Sequence, residues 1–274
     1  MSAGLIDAMR AAGLQPAKVL ELATDGKLQR FKVEGDKPGS RNGWVVLHGH
    51  PIMAGAFGSW KTGESHSWRE ATSKPLTPAD RAELARSLKA QKAAQAAERE
   101  VVQAEARAKA QRLWARARPA TSAHPYLERK GVHGWGIRQL NDMLLIPARD
   151  VNGVIHTVQF ISADGSKRFL TGGRKAGCYF AIGKVANSLL LAEGVATGCT
   201  LYQATGAAVA VCFDCGNLLA VALALRGKFP RLRLVVCADN DAATPGNPGL
   251  THATAAARAV GGFVAVPQFQ PATS

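Results

Sequence analysis

The sequence predicts an α/β protein. An open parallel sheet over residues 186–274 follows an antiparallel β-rich subdomain (119–185), a long charged helix (77–118) and a small β-rich N-terminal domain (1–76). Three observations predict this order. Short β-type runs separated by Gly, Pro, Asn and Asp fill residues 17–70. An Ala-, Arg-, Lys-, Glu- and Gln-rich stretch then runs from Thr77 to Arg118. After Lys184, continuous apolar strands alternate with helical segments, the pattern of a parallel sheet covered on both faces.

Residues 1–13 read as a short helix, and Leu28–Val33 and Trp44–His48 as meander strands. Trp44, Phe57, Trp60 and Trp68 lie among Lys37, Arg41, Lys61 and Arg69. Such a mixture either fills the core of a small domain or stacks bases and neutralises phosphates. Thr77 can cap the long helix, Pro78 suits its first position, Asp80 favours its dipole, and Pro119 stops it. At 1.5 Å per residue it would reach about 60 Å, with only a thin apolar stripe. It reads as a solvated connector, with a basic arm along nucleic acid as the alternative.

Met143–Pro147, Val154–Ile161 and Arg168–Leu170 are divided by the turn signals Asp150–Gly153 and Ala163–Ser166, which predicts an antiparallel sheet. In the last segment, strands at 189–192, 207–212, 232–238 and 263–266 alternate with helices near 196–204, 217–226 and 250–260. Only four carboxylates occur in residues 186–274: Glu193, Asp214, Asp239 and Asp241. All fall where strands end, the place at which open α/β sheets bind ligands.

The formal charge of +14 points to an anionic partner, nucleic acid first. Its distribution is uneven: residues 78–118 carry +5, residues 119–185 carry +5, and residues 186–274 only +1. No apolar run is long enough for a membrane span and no leader pattern opens the chain, so a cytoplasmic protein without a membrane partner is expected. Five cysteines, an odd number, fit a reducing compartment. Cys212 and Cys215 have half the spacing of a zinc site and no second pair; His48, His50 and His66 lack a completing ligand. No zinc is expected.

Asp239 and Asp241, two positions apart, point to one side of an extended backbone, where two carboxylates can ligate Mg²⁺. Glu193 can complete that site or act as general acid or base, and Gly194 allows close approach. Asp214 is either a further ligand or the cap of the next helix.

Residues 187–266 resemble a Toprim domain, a metal-binding, Rossmann-like parallel sheet shared by bacterial primases, topoisomerases and some nucleases. Glu193-Gly194-Val195-Ala196-Thr197-Gly198 is similar to the Glu-Gly-Tyr-Ala-Thr-Ala motif of primases from satellite phages and conjugative plasmids. Val195 stands in place of the Tyr and Gly198 in place of the second Ala. His124–Val132 and Asp150–Leu170 resemble the basic subdomain that precedes Toprim in primase cores. The resemblance implies RNA primer synthesis on a single-stranded DNA template from ribonucleoside triphosphates, with a replicative helicase as a further partner. It implies that Glu193, Asp239 and Asp241 position Mg²⁺, or Mn²⁺ as a substitute. Lys167, Arg168, Arg174, Lys175, Arg129 and Lys130 would hold the strand or nucleotide. A Toprim nuclease and a non-catalytic single-stranded-DNA-binding protein are the alternatives.

Overall fold

The computed structural model describes residues 3–49, 52–70, 77–240 and 244–267. The chain divides into two compact units, Met1–Glu98 and Arg99–Ser274. In the first, helix α1 (Ala3–Ala11) precedes four strands, β1 (Gln29–Phe31), β2 (Gly43–His48), β3 (Ala54–Ser59) and β4 (Ser65–Arg69). They form an antiparallel meander in chain order. The two-residue period of the strands turns Val45, Leu47 and Phe57 inward against Leu5 and Met9 of α1. Each such fully buried side chain contributes roughly 1.5–3 kcal/mol by leaving water.

Helix α2 (Pro78–Arg116) is as long as expected, but its second half is not a solvated connector. Val102, Ala106, Ala110, Leu113, Trp114 and Ala117 recur at helical spacing. Ala110, Leu113, Trp114 and Ala117 pack on Leu145, Val158 and Phe160 of the sheet that follows. Small residues suffice for this seam: Ala110 is fully buried without making a large apolar stripe.

That sheet contains β5 (Arg118–Pro119), β6 (Arg138–Leu140), β7 (Met143–Arg149), β8 (Ile155–Ile161) and β9 (Lys167–Phe169), all antiparallel, with helix α3 (Pro125–Lys130) between β5 and β6. The predicted turns form through side-chain caps. Asp150 Oδ1 accepts from the Asn152 and Val154 amides, Asp164 Oδ1 from the Ser166 amide, and Gly153 and Gly165 supply the positive φ. All seven residues of β8 are buried, because α2 covers one face of this sheet and a second sheet the other.

The second sheet contains β10 (Phe180–Ile182), β11 (Ser188–Ala192), β12 (Ala208–Val211), β13 (Arg233–Cys237) and β14 (Phe263–Ala265), in the order β10-β12-β11-β13-β14. Strands β11 to β14 are parallel, and helices α4 (Val195–Thr205), α5 (Cys215–Lys228) and α6 (Pro248–Ala259) connect them. Strand β10 pairs antiparallel with β12. It therefore crosses the boundary expected at residue 185, and residues 119–185 and 186–274 share one compact unit. Phe180 and Ile182 join a core with Ile146 and Ile161 of the first sheet and Val209 and Val211 of the second. Gly198 is needed here, since a Cβ would lie 2.5 Å from Val211 Cγ2.

Candidate active site

Strand β11 lies between β12 and β13, parallel to both, with Ala192 opposite Val211 and Leu191 opposite Val236. Their carboxyl ends therefore open on one edge. Glu193 follows β11 directly, Phe213 and Asp214 follow β12, and Asp239 lies two residues beyond β13. Glu193 and Asp239 are both half-buried; Asp241 lies outside the described residues. Burial pushes the Cys212 and Cys215 thiols up, and the negative charges of Glu193 and Asp214 push them further. Glu193 and Asp214 thus share one electrostatic neighbourhood. Among the described residues, no group of three or more His, Cys, Asp or Glu is gathered to hold a metal ion by itself.

Asp214 is the N-cap of α5. Its Oδ1 accepts from the Asn217 amide at 3.1 Å, and its Oδ2 accepts from Lys175 Nζ. Asp214 therefore acts as the cap that the sequence allowed, with both of its oxygens engaged by protein groups. The turn that delivers it passes through Phe213 at φ 75°, a region L-residues avoid. Phe213 meets the Phe169 ring edge-on at 5.2 Å, which fixes the turn against β9. Such backbone strain gathers at functional sites.

Buried Asn217 holds the floor of the site. Its Nδ2 donates to the Cys178 and Cys212 carbonyls, both at 2.9 Å, and its Oδ1 accepts from the Gly177 amide at 2.9 Å. Sequence reasoning missed this residue, because its partners lie 39 and 40 positions upstream and its own position reads as an ordinary first helical turn.

The basic residues do not form one cluster. Lys167 and Phe169 lie on one face of β9, and Arg168 on the other, where its guanidinium sits 4.6 Å from the Phe160 ring. Arg168 therefore faces the α2 side, away from Lys167. Arg174 reaches His156 Nε2 at 2.7 Å and Asp150 Oδ2 at 3.5 Å, and Lys175 is paired with Asp214. These two hold a loop in place. His156 Nε2 has one role at a time: without a proton it accepts from Arg174 Nη2, and with one it donates to Asp150 Oδ2 at 2.9 Å.

Lys167 is the cation coupled electrostatically to Asp239. Burial and the adjacent Lys130 lower its pKa, while Asp239 pulls it back up. Lys130 arrives at the end of α3, which is pinned to the β8–β9 turn by the Arg129 Nη1 bond to the Ala163 carbonyl at 3.1 Å. Its start is set by His124, whose Nδ1 accepts from the Tyr126 amide.

Residues 188–270 match the Toprim domain family. Over 264 residues, covering 90% of the chain, the sequence is 40% identical to a DNA primase TraC of Escherichia coli; over 285 residues, covering 99%, it is 36% identical to a second protein of that name and organism. The chain spans 24% and 19% of the lengths of these relatives. Among solved structures, the primase fragment of the bacteriophage T7 primase-helicase protein aligns over 56% of this chain and 66% of its own, at 15% identity and a TM-score of 0.41. The chain thus contains a Toprim domain at residues 188–270 and is a relative of the DNA primases named TraC along most of its length.

Proposed function

We propose that this chain is the catalytic part of a DNA primase, joining ribonucleotides into a short RNA primer on single-stranded DNA. One observation carries the reading: Glu193 and Asp239 stand at the carboxyl ends of two adjacent parallel strands, with Lys167 within electrostatic reach of Asp239. Oxygen donors on two strand ends suit Mg²⁺, which is usually bound through one or two carboxylates plus substrate phosphates and waters. Glu193 and Asp239 would hold it, and Asp241 is the third carboxylate proposed from the sequence; Mn²⁺ suits the same oxygens. When bound, the ion neutralises charge on the reacting phosphate and on the attacking and leaving oxygens.

The protein's own groups orient the substrates. Lys167, coupled electrostatically to both Asp239 and Lys130, would bind the triphosphate together with Lys130, and the triphosphate's negative charge would raise the Lys167 pKa that desolvation and Lys130 depress. The α4 N-terminus directly behind Glu193 has no side-chain cap, and its dipole favours an anion there. The 3′ oxygen of one ribonucleotide attacks the α-phosphorus of the next, and pyrophosphate leaves. Glu193 would either complete the ion's shell or accept the hydroxyl proton. Template DNA, ribonucleoside triphosphates and a replicative helicase are the partners in this reading. Among the described residues, no helix is long and apolar enough to cross a membrane.

The test combines unprimed single-stranded DNA, labelled ribonucleotides and Mg²⁺ with the protein and its Glu193→Gln and Asp239→Asn variants. We expect short labelled products that fall by on the order of a hundredfold or more in both variants, since the ion's charge neutralisation contributes several kcal/mol. Shortened input DNA without incorporation would instead identify a nuclease.

A further inference from the structure

The first compact unit has a sheet face that does not pack against its α1 core. The register assigns its residues. Arg30 lies opposite Trp44, which lies opposite Gly58 and then Ser65; Val46 lies opposite Ala56 and Ser67; His48 lies opposite Ala54 and then Arg69. These are the positions that alternate with the inward Phe31, Val45, Leu47 and Phe57. The four strands thus turn one face to the α1 core and present the other as a shallow surface.

Three properties of that surface point the same way. Its small residues, Ala54, Ala56, Gly58, Ser65 and Ser67, leave it low around a single aromatic step. Trp44 forms that step with Trp60, just past β3, at 5.8 Å between ring centroids and 38° between planes. Trp60 is 60% exposed, a large apolar cost for a side chain with no core role. Gly58 lets β3 pass close beneath the step, since a Cβ there would lie 2.1 Å from the Glu64 carbonyl oxygen and 2.7 Å from the Trp44 ring. The strand residues on this face that carry formal charge are Arg30 and Arg69, both positive. Arg41 adds a third cation beside Arg30, the two chains exchanging guanidinium-to-carbonyl bonds at 3.0 Å.

We propose that this face binds single-stranded nucleic acid, with bases stacking on Trp60 and Trp44 and the phosphates passing Arg30, Arg41 and Arg69. The occupant is identified by chemistry: an open π surface demands a flat partner, and a rim with only cations on its strands demands an anionic one. An unpaired strand supplies both. Duplex DNA keeps its bases stacked and cannot reach the rings, and an acidic protein segment would satisfy the arginines but leave the tryptophans in water. The proposal stands independently of the chemistry assigned to Glu193 and Asp239.

Tryptophan fluorescence of the full chain, titrated with an oligothymidylate of about 15 nucleotides, tests it. We expect quenching in the wild type and in Glu193→Gln. In Trp60→Ala most of the quenching disappears and affinity falls about tenfold, as loss of one stacked base implies. Arg30→Ala, a surface change that leaves the core alone, weakens binding and flattens the salt dependence. Circular dichroism confirms that each variant is folded. Wild-type quenching and affinity in Trp60→Ala would overturn the proposal, as would equal quenching by poly-glutamate or by duplex DNA of the same length. If primer synthesis persists while Trp60→Ala binds normally, this face is refuted and the active site stands. If quenching depends on Trp60 but no products form, the reverse holds.

Discussion

The two ends of the parallel sheet carry opposite charge and put it to different uses. At the carboxyl ends of β11, β12 and β13 stand Glu193, Asp214 and Asp239. At the other end are all five basic side chains of residues 186–274: Arg226 and Lys228 closing α5, Arg231 and Arg233 entering β13, and Arg258 closing α6. Cations at helix C-termini complement the dipole, each by roughly 0.3–1 kcal/mol. Three of the five also bind parts of the fold. Arg226 donates to the Val260, Phe229, Pro230 and Leu232 carbonyls, Lys228 to the Val151 carbonyl, and Arg233 lies 4.7 Å from the Phe263 ring. At the acidic end Asp214 caps α5, while Glu193 and Asp239 stand at the edge, Asp239 within electrostatic reach of Lys167. There an uncharged residue, the buried Asn217, holds the backbone.

The comparison can be broken at either end. Asn217→Leu should be the largest structural lesion, about 3 kcal/mol, because it strands two buried carbonyls and an amide. Urea unfolding measures it, and primer synthesis should fall with it even in the folded fraction, since the Lys175–Asp214 loop loses its anchor. Arg226→Met should cost about 2 kcal/mol through its lost carbonyl bonds and leave specific activity unchanged. A loss of activity without loss of stability would contradict the structural role given to the basic end.

The smallest effect concerns Asp150, which anchors the loop through Arg174 and His156. Burial pushes its carboxyl up, but bonds from His156 and the Val154 and Asn152 amides outweigh it, so the net pKa lies below the usual value. A depressed carboxyl contributes stability above the unfolded pKa of about 4, and that contribution is lost as pH falls through the folded value. Asp150→Asn should therefore cost about 1 kcal/mol at pH 7. Thermal melts from pH 7 to pH 2 should show the gap closing in acid; a constant gap would separate the cost from ionisation.

Legibility differed by the range of the cause. The turns at Asp150–Gly153 and Ala163–Ser166, the Thr77–Pro78 helix start and the β/α alternation after Lys184 depend on residues within a few positions of one another, and each has its counterpart in the fold. The acidic edge was legible because parallel strands must end on one side. The segregation of Lys167 from Arg168 followed from β9 being a strand at both positions, whereas the expected strand began only at Arg168. The burial of α2 was hidden because alanines make its seam, and β10 because three residues carry little periodicity.

By itself the sequence determined the class of fold, the carboxylates at strand ends and the basic excess before them, since local propensity, turn chemistry and composition act over short spans. Tertiary structure alone decided which charges are spent. It paired Lys175 with Asp214, tied Arg174 to Asp150, set Lys167 within electrostatic reach of Asp239 and buried Asn217 against the Cys178 carbonyl. Those pairings join residues some 20 to 70 positions apart in the chain, and only packing of one sheet against the other brings such groups within the few ångströms over which charge and hydrogen bonds act.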